Sequence, residues 1–141
     1  MKGLCFLRGI KSKKDRSSNM ELKKLNKDFS VCKVEDYSQV HWNSEYLFIE
    51  KTDEENSLVC LTEEVPSNTT AREDGWIGFR IQGVLDFSLI GILADITTIL
   101  KRDKIPVFVV STYNTDYVLL KKTLLSKATA ALEKSGYRFV D

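Results

Sequence analysis

Two polar clusters carry residues whose type and spacing can do chemistry: Asp86-Phe87-Ser88 followed by Gly91, and Ser111-Thr112-Tyr113-Asn114-Thr115-Asp116. Asp86 and Ser88 stand just ahead of an apolar run at helical spacing, where a side-chain oxygen accepts from the N–H groups that a helix start leaves unpaired. Gly91 falls in the first turn and, lacking a Cβ, admits close approach of another group. Ser111 to Asp116 joins two apolar runs through residues typical of a turn. Residue types alone leave two readings open at both clusters, capping and turn chemistry or a small polar site.

The elements that must position these clusters are legible. Leu89, Ile92, Leu93, Ile96, Ile99 and Leu100 recur at helical spacing and Lys101-Arg102-Asp103 closes the run, which predicts an amphipathic helix. Ile105 to Val110 is a β-branched apolar run expected as a buried strand, with Pro106 near its beginning, and Tyr117 to Leu120 is a second strand. Ahead of the first cluster, Ile77, Phe79 and Ile81 alternate with Gly78, Arg80 and Gln82, the mark of a half-buried strand. After the second, Leu124, Leu125, Ala128, Ala131 and Leu132 form another helical stripe, stopped at Ser135-Gly136, and Tyr137 to Val140 reads as a last strand. The order βαββαβ over 75–141 makes an α+β sandwich of the ferredoxin-like kind, two helices covering one sheet.

Asp86-Phe87-Ser88, Gly91-Ile92-Leu93, Ile105-Pro106 and the run Ser111 to Tyr117, in this order and with these spacings, resemble ACT domains of the aspartate-kinase type. The chain is similar above all to small stand-alone bacterial proteins that carry two such units, and to the related arginine-sensing proteins of animal cells. The resemblance covers roughly residues 75–139 and is weaker upstream. It implies a unit that binds small ligands, usually amino acids, between paired units. An amino acid offers an ammonium group, a carboxylate and a side chain. On this reading Asp86 or Asp116 accepts the ammonium, backbone N–H groups at Gly91 and Ile92 suit the carboxylate, and Ser111 and Thr112 add hydroxyls. The expected ligand site is therefore Asp86, Phe87, Ser88, Gly91, Ile92, Ser111, Thr112 and Asp116.

Upstream, strand candidates lie around Leu22, at Phe29 to Val34, Tyr46 to Lys51 and Leu58 to Thr62, with turns expected at Asn26-Lys27-Asp28 and Thr52 to Asn56. Between them, Glu35 to Ser44 allows one helical turn that packs Tyr37, Val40 or Trp42 across the strands. This predicts a smaller, mostly β, ACT-like unit over 20–64 and a linker over 65–74, which holds Pro66 and little apolar periodicity. Residues 1–19, basic and without periodicity, are expected to be a disordered extension, with the folded part beginning at Met20.

Composition narrows the function. With 21 Lys and Arg against 20 Asp and Glu, the net charge of +1 gives no field to attract nucleic acid. Apolar runs are all shorter than a membrane span needs, and Leu4 to Leu7 precedes the basic cluster, the wrong order for a signal peptide. Cys5, Cys32 and Cys60 are widely spaced without a CxxC pair, and all but Cys5 fall in expected strands as buried thiols, which fits a reducing cytoplasm and no metal. The matched sequon at Asn68-Thr69-Thr70 reads as polar linker. His41 is the single histidine and stands in no recognised nucleophile motif, and phosphate-cradling and dinucleotide glycine patterns are absent from the sequence. The expectation is a non-catalytic, cytoplasmic, amino-acid-binding regulatory protein without cofactor, forming a homo-oligomer and acting on a partner enzyme. The alternative is a dimerisation or interaction module without ligand.

Overall fold

The computed structural model describes residues 20–82 and 89–141. The expected extension over 1–19 and the residues Asp86, Phe87 and Ser88 of the first cluster lie outside them. The described chain forms eight strands and two α-helices: β1 Glu21–Lys24, β2 Phe29–Val34, β3 Leu47–Lys51, β4 Asn56–Leu61, β5 Thr69–Gln82, α1 Leu89–Arg102, β6 Phe108–Ser111, β7 Asp116–Lys121, α2 Leu125–Lys134 and β8 Arg138–Val140. It divides into two compact units, one of Lys27–Ile77, the other of Gly78–Asp141 with the chain up to Asn26.

The second of these units is the expected βαββαβ. It takes the last five residues of β5, then α1, β6, β7, α2 and β8. Its strands lie in the order β6-β7-β5-β1-β8, so β1 enters between the first and last strands of the motif. β1 runs antiparallel to β5, with Leu22 opposite Ile81, and parallel to β8, with Leu22 opposite Phe139. This corrects the division at 20–64 for the first strand: β1 pairs with β5 and β8, not with β2. The reason is burial, since Leu22 is wholly buried in that position. α1 packs against α2, and Ile92, Ile96, Ile99 and Leu100 of α1 are buried with Ala128 and Leu132 of α2. Asp95 lies on the same buried stripe, and its carboxylate accepts from the Tyr137 hydroxyl at 2.5 Å. A buried carboxylate needs such a donor.

Both helices end in the same way. After α2, Tyr137 N–H donates to Leu132 O at 3.1 Å and Gly136 N–H to Glu133 O at 3.0 Å, with Gly136 at φ 101°. This is a Schellman stop with glycine in the left-handed position, as the Ser135-Gly136 pair predicts. After α1 the same bonds run from Ile105 to Leu100, 3.0 Å, and from Lys104 to Lys101, 2.9 Å, but a lysine holds the left-handed position at φ 57°. That turn takes up Ile105, and the strand expected from Ile105 begins only at Phe108. A side chain in this conformation costs roughly 1–2 kcal/mol that glycine does not. Lys104→Gly is therefore expected to raise stability by about 0.5–1 kcal/mol, read as a higher urea midpoint at unchanged slope.

The unit of Lys27–Ile77 is an antiparallel arrangement in the order β3-β4-β2-β5. One cluster buries Cys32, Val34, Val40, Leu58 and Cys60, with Tyr37, Leu47, Ile49 and Val65 packed on it. The segment from Glu35 to Ser44 forms turns rather than a helical turn. Tyr37 and Val40 do pack, Tyr37 donating to Ser57 O at 3.1 Å, whereas Trp42 is 62% exposed. The expected linker over 65–74 is strand from Thr69 onward, the first nine residues of β5 belonging to this unit. Going from Val31 to Phe29 on β2 carries β5 from Glu73 to Trp76, one residue further than its partner. This bulge holds Gly75 at φ 88°. It also brings Asp74 onto the buried Ser30, whose hydroxyl donates to Asp74 Oδ1 at 2.5 Å.

Candidate functional site

Strand register alone brings the two ends of the second cluster together. Ser111 ends β6, Asp116 begins β7, and the two face each other across the hairpin. Directly opposed residues share a sheet face. The Ser111 hydroxyl donates to Asp116 Oδ1 at 2.5 Å, and Asp116 is only 4% exposed. A carboxylate offers about four acceptor positions. The Ser111 bond occupies one of them, and among the described residues no other side-chain hydrogen bond reaches this carboxylate. Asp116 alternates in phase with Val118 and Leu120, both wholly buried, so the carboxylate stands at the end of an apolar row on the inner face of β7. A charge so placed is costly unless further partners reach it.

The loop between them is fixed from within and from β5. Thr112 N–H donates to Thr115 O at 2.8 Å, and the Thr112 hydroxyl donates to the same oxygen at 3.1 Å. The Thr115 hydroxyl reaches across to β5 and donates to Ile81 O at 2.7 Å. That bond anchors the hairpin at the end of β5, one residue before Gln82, the last residue described ahead of α1 at Leu89. Gly91 and Ile92 are the third and fourth residues of that helix, both buried. The end of β5 thus connects both clusters: it holds the hairpin through Ile81 and leads, over 83–88, into the start of α1.

Thr115 was not among the expected site residues, and its role has no signature in residue type, since any turn threonine looks the same before the strand that accepts its hydrogen bond is known. Of the expected residues, Ser111 and Asp116 are joined directly, Thr112 shapes the loop from an exposed position, and Gly91 and Ile92 stand in the first turn of α1. Tyr113, at the loop tip, is 97% exposed. On the outer face, Arg80 Nη1 lies 3.5 Å from the Tyr117 hydroxyl and its Nε donates to Gln82 Oε1 at 3.3 Å.

Elsewhere the polar side chains read as structure. His41 Nε2 lies 3.6 Å from Glu64 Oε2 on a side chain 58% exposed. Ser38 donates to Asp36 from its hydroxyl and from its backbone N–H, and these bonds hold the Asp36 carboxyl below its ordinary value. Among the described residues there is no cluster of three or more histidine, cysteine or acidic side chains able to hold a metal, and no helix long and apolar enough to cross a membrane.

Residues 71–134 match the family described as the ACT domain, a little under half of the chain. Among solved structures, a protein of Agobacterium tumefaciens is 29% identical with a TM-score of 0.75, covering 86% of this chain and 92% of its own. An aspartate kinase of Clostridium acetobutylicum matches at 14% identity and a TM-score of 0.56 over 83% of this chain, which spans 34% of the kinase. The ligand-free regulatory subunit of aspartate kinase from Thermus thermophilus matches at 8% identity and a TM-score of 0.53, over 81% of this chain and 93% of the subunit. No curated protein matches the chain. Residues 71–134 are thus similar to an ACT domain, and the α+β, ferredoxin-like fold is shared with aspartate kinase structures, a regulatory subunit among them.

Proposed function

We propose that this protein binds a free amino acid and regulates a partner by doing so, without catalysis of its own. The observation that carries the reading is the buried Asp116 carboxylate, bonded to Ser111 with about three acceptor positions untaken among the described residues, in a hairpin that Thr115 ties to the end of β5. A carboxylate in that setting suits an ammonium group, and the N–H groups at the start of α1, near Gly91 and Ile92, suit the ligand's carboxylate. Asp86, Phe87 and Ser88 complete the proposed site. The ligand would bind where this ACT unit pairs with a second one, so that binding changes how copies of the chain associate and what surface they offer a partner enzyme. A reducing, cytoplasmic setting is supported by Cys32 and Cys60 as buried free thiols.

The test is thermal unfolding of the whole chain with each free amino acid in turn. A ligand at a hundred times its dissociation constant adds about 2.7 kcal/mol, a shift of several degrees for one or two of the twenty. A flat response to all of them would sink amino-acid binding. It would favour a second reading, an interaction module without ligand, for which the fully exposed Tyr113 at the hairpin tip is the natural contact.

A further inference from the structure

The unit of Lys27–Ile77 holds two thiols that the ligand site does not use. Cys32 on β2 stands opposite Leu58, and Cys60 on β4 stands opposite Ser30. The two cysteines are therefore diagonal neighbours on adjacent antiparallel strands, and the two-residue offset puts both on one face. Each is 2% exposed, and both belong to the same buried cluster. Across β2 on the other side, Cys32 faces Arg72 of β5, whose guanidinium grips Asp74 through Nε at 3.1 Å and Nη2 at 3.0 Å. We propose that Cys32 and Cys60 are a redox pair, closing to an intramolecular disulfide under peroxide and reopening with a small thiol reductant.

The two thiols are already unequal. The interaction between the two thiols holds Cys32 below its ordinary value and pushes Cys60 up, and Arg72, opposite Cys32 on β5, favours the Cys32 thiolate further. Cys32 is thus the attacking sulfur and Cys60 the resolving one. The Cys32 thiolate attacks one peroxide oxygen and the O–O bond breaks, leaving a sulfenic acid and a hydroxide that takes up the proton Cys32 lost. The Cys60 sulfur then attacks the Cys32 sulfur, the S–S bond forms, and the oxygen departs with the Cys60 proton as water. Two electrons have left the sulfurs and one peroxide has become two waters.

What controls the reaction is cover. Val40, from the irregular segment between β2 and β3, is buried in the same cluster as the pair, and Tyr37 packs against that cluster. That segment is held by a few bonds, among them Tyr37 hydroxyl to Ser57 O at 3.1 Å, Asn56 Nδ2 to Glu35 O at 2.9 Å and Asn68 Nδ2 to Asp36 O at 3.1 Å. Segments tied this way open locally at less cost than strands do. A diagonal pair lies beyond the Cα separations a disulfide usually spans, so closing the bond must draw β2 and β4 together locally, which makes it of the readily reduced kind.

The whole chain is treated with graded hydrogen peroxide, its remaining thiols are blocked under denaturing conditions, and it is mapped by non-reducing peptide mass spectrometry. The expected product is a Cys32–Cys60 link that reduced glutathione returns to two thiols. Tyr37→Phe, which removes one tie of the cover, is expected to speed its formation several-fold. In Cys60→Ser the link is gone and Cys32 is trapped by dimedone as the sulfenic acid. Recovery of both cysteines as thiols after exhaustive peroxide, their separate oxidation, pairing with Cys5 instead, or a link seen only in denaturant would each overturn the proposal. None of these outcomes depends on whether the protein binds an amino acid.

Discussion

Phe79→Ala is expected to cost about 3–5 kcal/mol and to leave little of the fold standing at room temperature in modest urea. Phe79 is 1% exposed and meets the Phe139 ring edge-to-face, centroids 5.4 Å apart with the planes at 86°. Lys24 sits over the other partner, its Nζ 5.5 Å from the Phe139 centroid. The three residues lie on β5, β8 and β1, so one ring fills the place where strands from both ends of the chain converge. Loss of the Phe79 side chain removes its own transfer energy, leaves a cavity and strips Phe139 of its edge contact, worth about 0.5–1.5 kcal/mol more. A domain of this size has roughly 5–15 kcal/mol in all. Urea denaturation followed by circular dichroism reads the loss directly. A change below about 1 kcal/mol would mean that the site repacks and that this ring is not the keystone of the unit.

The second large effect concerns Asp116 and is on affinity rather than stability. Asp116→Asn keeps the shape and can still accept from Ser111, but it removes the charge proposed to face the ligand's ammonium. With the amino acid identified by the thermal screen, calorimetry is expected to show binding weakened by about 1.5–3 kcal/mol, roughly ten- to a hundredfold. Stability should move by less than about 1 kcal/mol, the ordinary scale of one hydrogen bond. Ser111→Ala gives the contrast, since it leaves the charge in place and takes away the group that orients it. A variant that binds as tightly as the parent but unfolds earlier would return Asp116 to the role of a turn residue. Asp86→Asn, measured beside it, tells which of the two carboxylates receives the ammonium.

How far residues betray structure here depends on whether burial follows a period. Ile77 to Gln82 reads as a strand because its apolar residues alternate, and α1 as a helix because its apolar residues recur every three or four positions. Thr69 to Asp74 reads as a linker because it is a strand whose side chains are almost all exposed, so its pairing with β2 leaves no apolar alternation to see. β1 was recognisable as a strand, but its neighbours were not. Nothing in Glu-Leu-Lys-Lys says that its partners are Gln82 and Arg138 rather than Phe29. The site was legible in part for the same reason: Ser111 and Asp116 flank a visible turn, whereas the grip of Thr115 on Ile81 joins elements far apart in the chain.

The insertion of β1 between β5 and β8 also sets the order in which this protein can be made. Glu21–Lys24 leaves the ribosome early, yet one of its two neighbours in the sheet is Arg138–Val140, more than a hundred residues later, and Arg138 then donates to Met20 O and ion-pairs with Glu21. Until those residues emerge, β1 can pair on one side only and shows a bare edge on the other. Contacts of such long sequence separation slow folding, because loop closure comes before the reward. The unit of Lys27–Ile77 has a shorter wait, since its longest-range pairing, Phe29 with Trp76, is complete before Gly78 emerges. Between the emergence of Gln82 and that of Arg138 the sheet therefore stands half-finished, and the open flank of Glu21–Lys24 is the place where a nascent chain would meet a chaperone or another copy of itself.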